Sequence, residues 1–264
     1  MPASEATTSV LAKRLIAEDQ FMVAAASSSM LPHFAGLVSS CPDDALPAYR
    51  TKLAEMALNL EDRESFKELA LPLLSTIPDT LLLLDLLRAR NHSLAVLEET
   101  PELKSGFQKV LTDARSKLKD ESVNSSQRID AAALLSRYPA DEKTGFDFLA
   151  ARISPATAPD NFSRILNAFR NRSDNRVSQV LLGKWSGLSP AARAQVTELL
   201  LSKQDWTNHF LDAVEKKVIR PVEVSPSVKS RLAKHPNKTT RLRAAALLAG
   251  TSGKLRAEVV ASYA

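Results

Sequence analysis

The chain has 264 residues, enough for one large domain or two small ones, and carries 35 Lys+Arg against 30 Asp+Glu, a formal net charge of +5. Leu (39) and Ala (37) dominate, while Val (16), Ile (6), Gly (7) and the aromatics (5%) are scarce. That mixture suits close-packed helices and excludes a β sandwich or barrel, which needs β-branched residues and glycine turns. The single cysteine, Cys41, excludes an intrachain disulfide and a four-cysteine zinc site.

No secretory pattern opens the chain. Met1-Pro2-Ala3-Ser4-Glu5 is acidic to neutral, and Glu18 and Asp19 precede the first apolar stretch. The most apolar window, Leu69 to Leu87, contains Pro72, Pro78, Asp79 and Asp85. It predicts two buried helices broken at Ile77-Pro78, because a membrane span needs about 20 clean apolar residues. Thr100-Pro101 reads as an N-cap followed by proline at the first helical position. Leu103, Phe107, Val110, Leu111, Ala114 and Leu118 then form one apolar stripe, opposite Lys104, Lys109, Asp113, Lys117 and Lys119.

The polar string from Lys119 to Ser126 predicts a hinge between a less regular N-terminal half (1–120) and a more repetitive C-terminal half (121–264). Ser189-Pro190 and Ser225-Pro226 each open a helix, the second stopping before Pro236. Ser202-Lys203-Gln204-Asp205 has the form of a capping box ahead of Trp206, Phe210, Leu211 and Val214. Trp185 and Trp206 are expected as core anchors between helices. Only Val218 to Val224 alternates like a strand, and Pro221 interrupts it. The expectation is an all-α chain of roughly eleven to thirteen helices.

A weak internal repeat runs through these helices. Arg128-Ile-Asp-Ala-Ala-Ala-Leu-Leu135 lines up with Arg241-Leu-Arg-Ala-Ala-Ala-Leu-Leu248, and Arg193 to Leu200 fits the same frame. A degenerate copy without the arginine runs from Pro159 through Phe162 to Leu166. Such a repeat predicts an α-solenoid of stacked antiparallel helix pairs, of HEAT or armadillo type, because no single pair buries its apolar face alone.

Catalytic and metal motifs are lacking in the sequence. His33, His92, His209 and His235 stand at no metal-ligand spacing from one another. Cys41 has no recognisable base beside it, and seven glycines form no phosphate loop or nucleophile elbow. The chain is therefore expected to be no enzyme and to hold no cofactor of its own.

Charge is lopsided. From Lys216 onward there are 11 Lys+Arg against Glu223 and Glu258, whereas the preceding residues hold 24 basic and 28 acidic side chains. Lys229, Arg231, Lys234, Lys238 and Arg243 form a candidate docking patch for an acidic protein partner. The competing reading is a solvated face whose arginines bond carbonyls or carboxylates of neighbouring repeats. Arg241 is kept apart for that reason. Nucleic acid is not the expected partner, since no aromatic stacking platform accompanies the basic residues. The chain is expected to be a monomer.

The segments Val180-Leu-Leu-Gly-Lys-Trp185-Ser-Gly-Leu-Ser-Pro190-Ala-Ala-Arg193, Leu199 to Trp206, Leu211 to Glu215, Arg231 to Pro236 and Arg241 to Leu247 resemble one particular family. That family is the PVC-type haem-binding CxxCH proteins, also called planctomycete-type membrane-bound dehydrogenases, and the likeness is to their HEAT-like segment. Met22 to Ser29 and Pro32-His33 are similar to the start of the same segment. The resemblance implies an exported, periplasmic, multidomain parent in which a sugar-dehydrogenase-like propeller and a cytochrome c domain flank helical repeats.

Haem attachment in that family uses Cys-x-x-Cys-His. Here Cys41 stands alone and is followed by Pro42, so haem c is expected only in a downstream domain. The expected function is a non-catalytic scaffold or spacer that docks redox modules. The alternative is a free-standing, cytoplasmic adaptor that binds a partner along its concave or basic face.

Overall fold

The computed structural model describes residues 33–39, 41–42 and 45–248. Among them are thirteen α-helices, three 3₁₀ turns and no strand. The chain divides into two compact units, the first ending at Phe146 and the second beginning at Asp147. The division falls inside a helix, Glu142–Ala151, and the hinge segment expected at 119–126 lies within the first unit.

The first unit holds α1 (Phe34–Ser39), α2 (Pro47–Asn59), α3 (Arg63–Leu73), α4 (Ile77–Ala89), α5 (Pro101–Lys119) and α6 (Ser125–Leu135), with α7 (Glu142–Ala151) crossing its boundary. The apolar window resolves into α3 and α4. The break is at Leu74–Thr76, and Pro78 opens α4 with Thr76 as its cap. No helix among the described residues is long and apolar enough to cross a membrane.

Thr100 caps α5 by accepting the Leu103 N–H at 3.3 Å, and the six stripe residues from Leu103 to Leu118 are all buried. Alternate helices touch, α2 with α4, α3 with α5 and α4 with α6. α7 approaches the end of α6 closely at Gly145. A Cβ there would lie 2.4 Å from the Ser136 nitrogen and 2.5 Å from the Ala132 carbonyl oxygen.

The second unit holds α8 (Pro159–Arg170), α9 (Arg176–Gly183), α10 (Pro190–Leu200), α11 (Gln204–Glu215), α12 (Pro226–Ala233) and α13 (Lys238–Leu248). Again alternate helices touch, α8 with α10, α9 with α11 and α11 with α13. Ser189 and Ser225 cap α10 and α12 as expected. Trp206 is fully buried and donates Nε1 to the Asp174 carbonyl at 3.2 Å. Trp185 meets Phe210 edge-on at 6.4 Å.

The capping box expected at Ser202 does not form. Lys203 occupies the N-cap position without a side-chain cap, and the Ser202 hydroxyl donates backward to the Leu199 carbonyl at 2.6 Å. The helix begins at Gln204, so Ser202 lies one residue ahead of the cap position, and its hydroxyl closes the preceding helix. The segment expected as the strand candidate contains a 3₁₀ turn, Pro221–Glu223.

In five of these helices the fourth residue sends a donor back to the end of the preceding helix or to the turn that follows it. Arg128 donates Nη2 to the Leu118 carbonyl at 3.1 Å. Arg193 donates Nε and Nη2 to the carbonyls of Trp185 and Ser186 at 3.1 and 2.9 Å. Arg241 donates Nη1 to those of His235 and Pro236 at 2.6 and 2.9 Å. Two tight connections use a buried threonine there instead. Thr80 reaches the Leu73 carbonyl at 3.1 Å and Thr207 that of Leu200 at 3.3 Å. These donors bond carbonyls at and just beyond helix ends, where the helical ladder leaves acceptors free.

Candidate functional site: the basic α12–α13 hairpin

Ser225-Pro226 starts α12, and Asn237 starts α13 by accepting the Thr240 N–H at 3.1 Å. Both starts follow from local side-chain chemistry. The hairpin between them brings the candidate patch onto one element pair, but its five residues serve two ends.

Arg231 pairs with Glu198 of α10 at 2.6 Å and donates Nη2 to the Leu201 carbonyl at 3.1 Å. Arg243 pairs with Asp212 of α11 at 2.6 Å and also with Glu215. The hydrogen bonds that Arg243 donates to Glu215 and then Asp212 push its pKa further above its ordinary range. Gln204 of α11 adds a bond to the buried Thr240 hydroxyl at 2.9 Å. The arginines thus fasten the hairpin to α10 and α11. Lys234 and Lys238 are exposed, and Lys229 is half-buried.

Beside the hairpin lies a cleft of about 490 Å³ whose walls include Trp185, Phe210, Ile219, Val224 and Val228. Of its charged members, Arg193 meets Glu223 at 2.5 Å, and Glu198 pairs with Arg231 of α12. Glu223 also accepts the Arg220 backbone N–H at 2.8 Å, which, with the Arg220 side chain, holds its carboxyl below the usual range. The arrangement supplies a filled ion pair and apolar surface, without a nucleophile–base pair.

The four histidines lie apart. His92 is exposed beyond the end of α4, and Nδ1 of His235 accepts the Asn237 N–H at 3.2 Å. Nδ1 of His209 lies 2.7 Å from the Ser178 hydroxyl, a contact the sequence spacing did not suggest. Ser178 is buried, and its hydroxyl also lies 2.8 Å from the Asn175 carbonyl. Cys41 is half-buried beyond the end of α1. No group of three or more His, Cys, Asp and Glu side chains among the described residues converges in a way that could hold a metal.

Comparison with protein-family models, with curated proteins and with solved structures finds no match for the chain.

Proposed function

We propose that the chain is a non-catalytic helical-repeat scaffold that docks an acidic protein domain through the α12–α13 hairpin. The observation that carries this reading is the division of labour within the basic face. Arg231 and Arg243 are spent on Glu198, Asp212 and Glu215, whereas Lys234 and Lys238 stand exposed toward solvent. Flexible ammonium groups of this kind steer an acidic surface without ordering it beforehand. The contacts between alternate helices and the arginine ties support stacked antiparallel pairs of HEAT or armadillo type.

The family resemblance narrows the partner to a redox module of an exported multidomain protein. With Cys41 as its one cysteine, this chain cannot itself attach haem through two thioether bonds.

The coding sequence on either side tests the reading. An in-frame Cys-x-x-Cys-His downstream, or a propeller and signal peptide upstream, supports the scaffold. A self-contained reading frame for these residues alone supports the free-standing adaptor. The neighbouring domain, where present, should bind the wild-type chain in a salt-dependent manner and the Lys234→Glu/Lys238→Glu variant weakly.

A further inference from the structure

Both tryptophans of the chain are buried in the second unit, and their N–H groups fare differently. Trp206 donates Nε1 to the Asp174 carbonyl at 3.2 Å. Trp185 is 3% exposed, and its Nε1 has no hydrogen-bond partner among the described residues. A buried indole N–H normally finds an acceptor, because leaving it unmet is destabilising. Phe210 meets the Trp185 ring edge-on at 6.4 Å, and an aromatic face is only a weak acceptor. The same tryptophan walls the cleft of about 490 Å³, a volume within the roughly 300–1,000 Å³ of small-molecule sites.

Polar groups that share this cleft are already engaged. Thr197 donates to the Arg193 carbonyl at 2.7 Å, Ser225 accepts the Val228 N–H at 3.3 Å, and Glu198 and Glu223 are held by Arg231 and Arg193. The rest of the lining includes Phe210, Ile219, Val224 and Val228. We infer that the cleft binds a small, uncharged, mainly apolar molecule whose one carbonyl-type oxygen accepts the Trp185 Nε1–H. This site stands apart from the proposed docking of an acidic domain and does not rest on it.

Chemistry selects that occupant. A charged ligand finds no unpaired counter-charge, since the carboxylates of the cleft are matched by arginines. A backbone segment, whether residues 249–264 or part of a second copy, brings N–H groups of its own into apolar walls. A hydrocarbon leaves the indole N–H unmet. The nitrogen exposes almost no surface, so the oxygen reaches it as a wall parts. The wall from Ile219 to Val224 is built on a single 3₁₀ turn, Pro221–Glu223, and not on an α-helix.

The probes are acetophenone and α-methylstyrene, which match in shape and differ in carrying a carbonyl oxygen or a methylene group. The full chain, labelled with ¹⁵N, gives one indole cross-peak for each tryptophan, and Trp185→Phe assigns them. The expected result is a saturable downfield movement of the Trp185 indole proton with acetophenone, while the Trp206 peak stays. α-Methylstyrene should bind about tenfold more weakly and without the downfield movement. Ala194→Trp, at an exposed position on the cleft wall, should abolish the response while the dichroism spectrum matches the parent's.

No saturable movement with acetophenone, an equal response to both probes, or a response that survives Ala194→Trp overturns the proposal. So do two results obtained before any probe is added. A Trp185 peak that moves on dilution of the chain means that a second copy fills the cleft. One that moves with Leu255→Glu/Val259→Glu means that the chain's own following segment fills it.

Discussion

Arg193 and Trp185 are joined twice, by a hydrogen bond from the guanidinium Nε to the Trp185 carbonyl at 3.1 Å and by the guanidinium lying 5.6 Å from the indole centroid. The same side chain reaches the Ser186 carbonyl and the Glu223 carboxylate, so one arginine fastens the end of a 3₁₀ turn, the start of α10 and the Pro221–Glu223 turn together. Charge-assisted bonds of this kind contribute more than neutral ones. Arg193→Ala should lower the unfolding free energy by about 2–3 kcal/mol. Arg193→Lys should recover less than half, since an ammonium lacks the planar fork. Urea midpoints measure both, and a lysine variant as stable as wild type would remove the clasp from the account.

Gly145→Ala sets two effects against each other. Alanine improves helix propensity by about 1 kcal/mol. The new Cβ, however, would fall 2.4 Å from a backbone nitrogen and 2.5 Å from a backbone oxygen, neither of which can swing aside. Overpacking of that severity costs about 1–3 kcal/mol or more, so the variant should be destabilised. Gly183→Ala is the control, because nothing lies within 4 Å of its Cβ position. It should be neutral to mildly stabilising in the same thermal scan.

Among the described residues, three helix ends adopt the left-handed conformation without glycine, at Glu61 (φ 57°), Asn91 (φ 58°) and Lys217 (φ 60°). At Glu61 the bonds Glu61 N–H to the Leu58 carbonyl and Asp62 N–H to the Ala57 carbonyl close a Schellman turn. An L side chain is strained there by roughly 1–2 kcal/mol. Glu61→Gly and Lys217→Gly should each raise stability by up to about 1 kcal/mol, the gain being reduced by the greater freedom of glycine in the unfolded chain. Denaturant titration that finds either variant clearly less stable would contradict the strain argument.

Acid should weaken the fold through particular carboxylates. Asp174 is pulled upward by burial, yet bonds from Arg172 and Arg176 hold its pKa below the usual range, and Asp62 is lowered by the Ser65 hydroxyl and N–H. Glu223 is lowered chiefly by Arg220. A group whose pKa is depressed on folding stabilises above its unfolded value, near 4, and loses that contribution as pH falls through the folded value. Stability should therefore hold from neutral pH to about 5 and decline below about 4. The deficit of Glu223→Gln should be present at neutral pH and vanish toward pH 2–3. A deficit of the same size at both ends would show that the loss is steric.

Charge reversal on α12–α13 should separate arginines from lysines. Arg243→Glu would face Asp212 and Glu215, and Arg231→Glu would face Glu198, so both should loosen the hairpin. Lys234→Glu with Lys238→Glu should leave thermal stability within about 0.5 kcal/mol of the parent. Hydrogen exchange of the α12–α13 amides reads the difference directly, and equal protection in all three variants would refute the fastening role of the arginines.

Local chemistry made much of this molecule legible. Thr100, Ser189 and Ser225 cap their helices because a hydroxyl two or three residues ahead of free N–H groups satisfies them wherever the helix goes next. The stripe from Leu103 to Leu118 is buried because a 3.6-residue period allows it one face. The same periodicity, with Ala and Leu in excess, determined the all-α class.

Tertiary packing decided the rest. Ser202 has the sequence of a cap but serves the preceding helix, since α11 starts one residue too late to place it at the cap. The basic patch reads as one cluster along the chain. In three dimensions its arginines belong to Glu198, Asp212 and Glu215, which lie 28–33 residues away on other helices. The similar segments at Arg128 and Arg241 differ in burial, since Ile129, Ala132 and Ala133 are buried whereas Leu242, Ala245 and Ala246 are exposed. Sequence period specifies which face is apolar, whereas its cover is a long-range contact that no local pattern encodes.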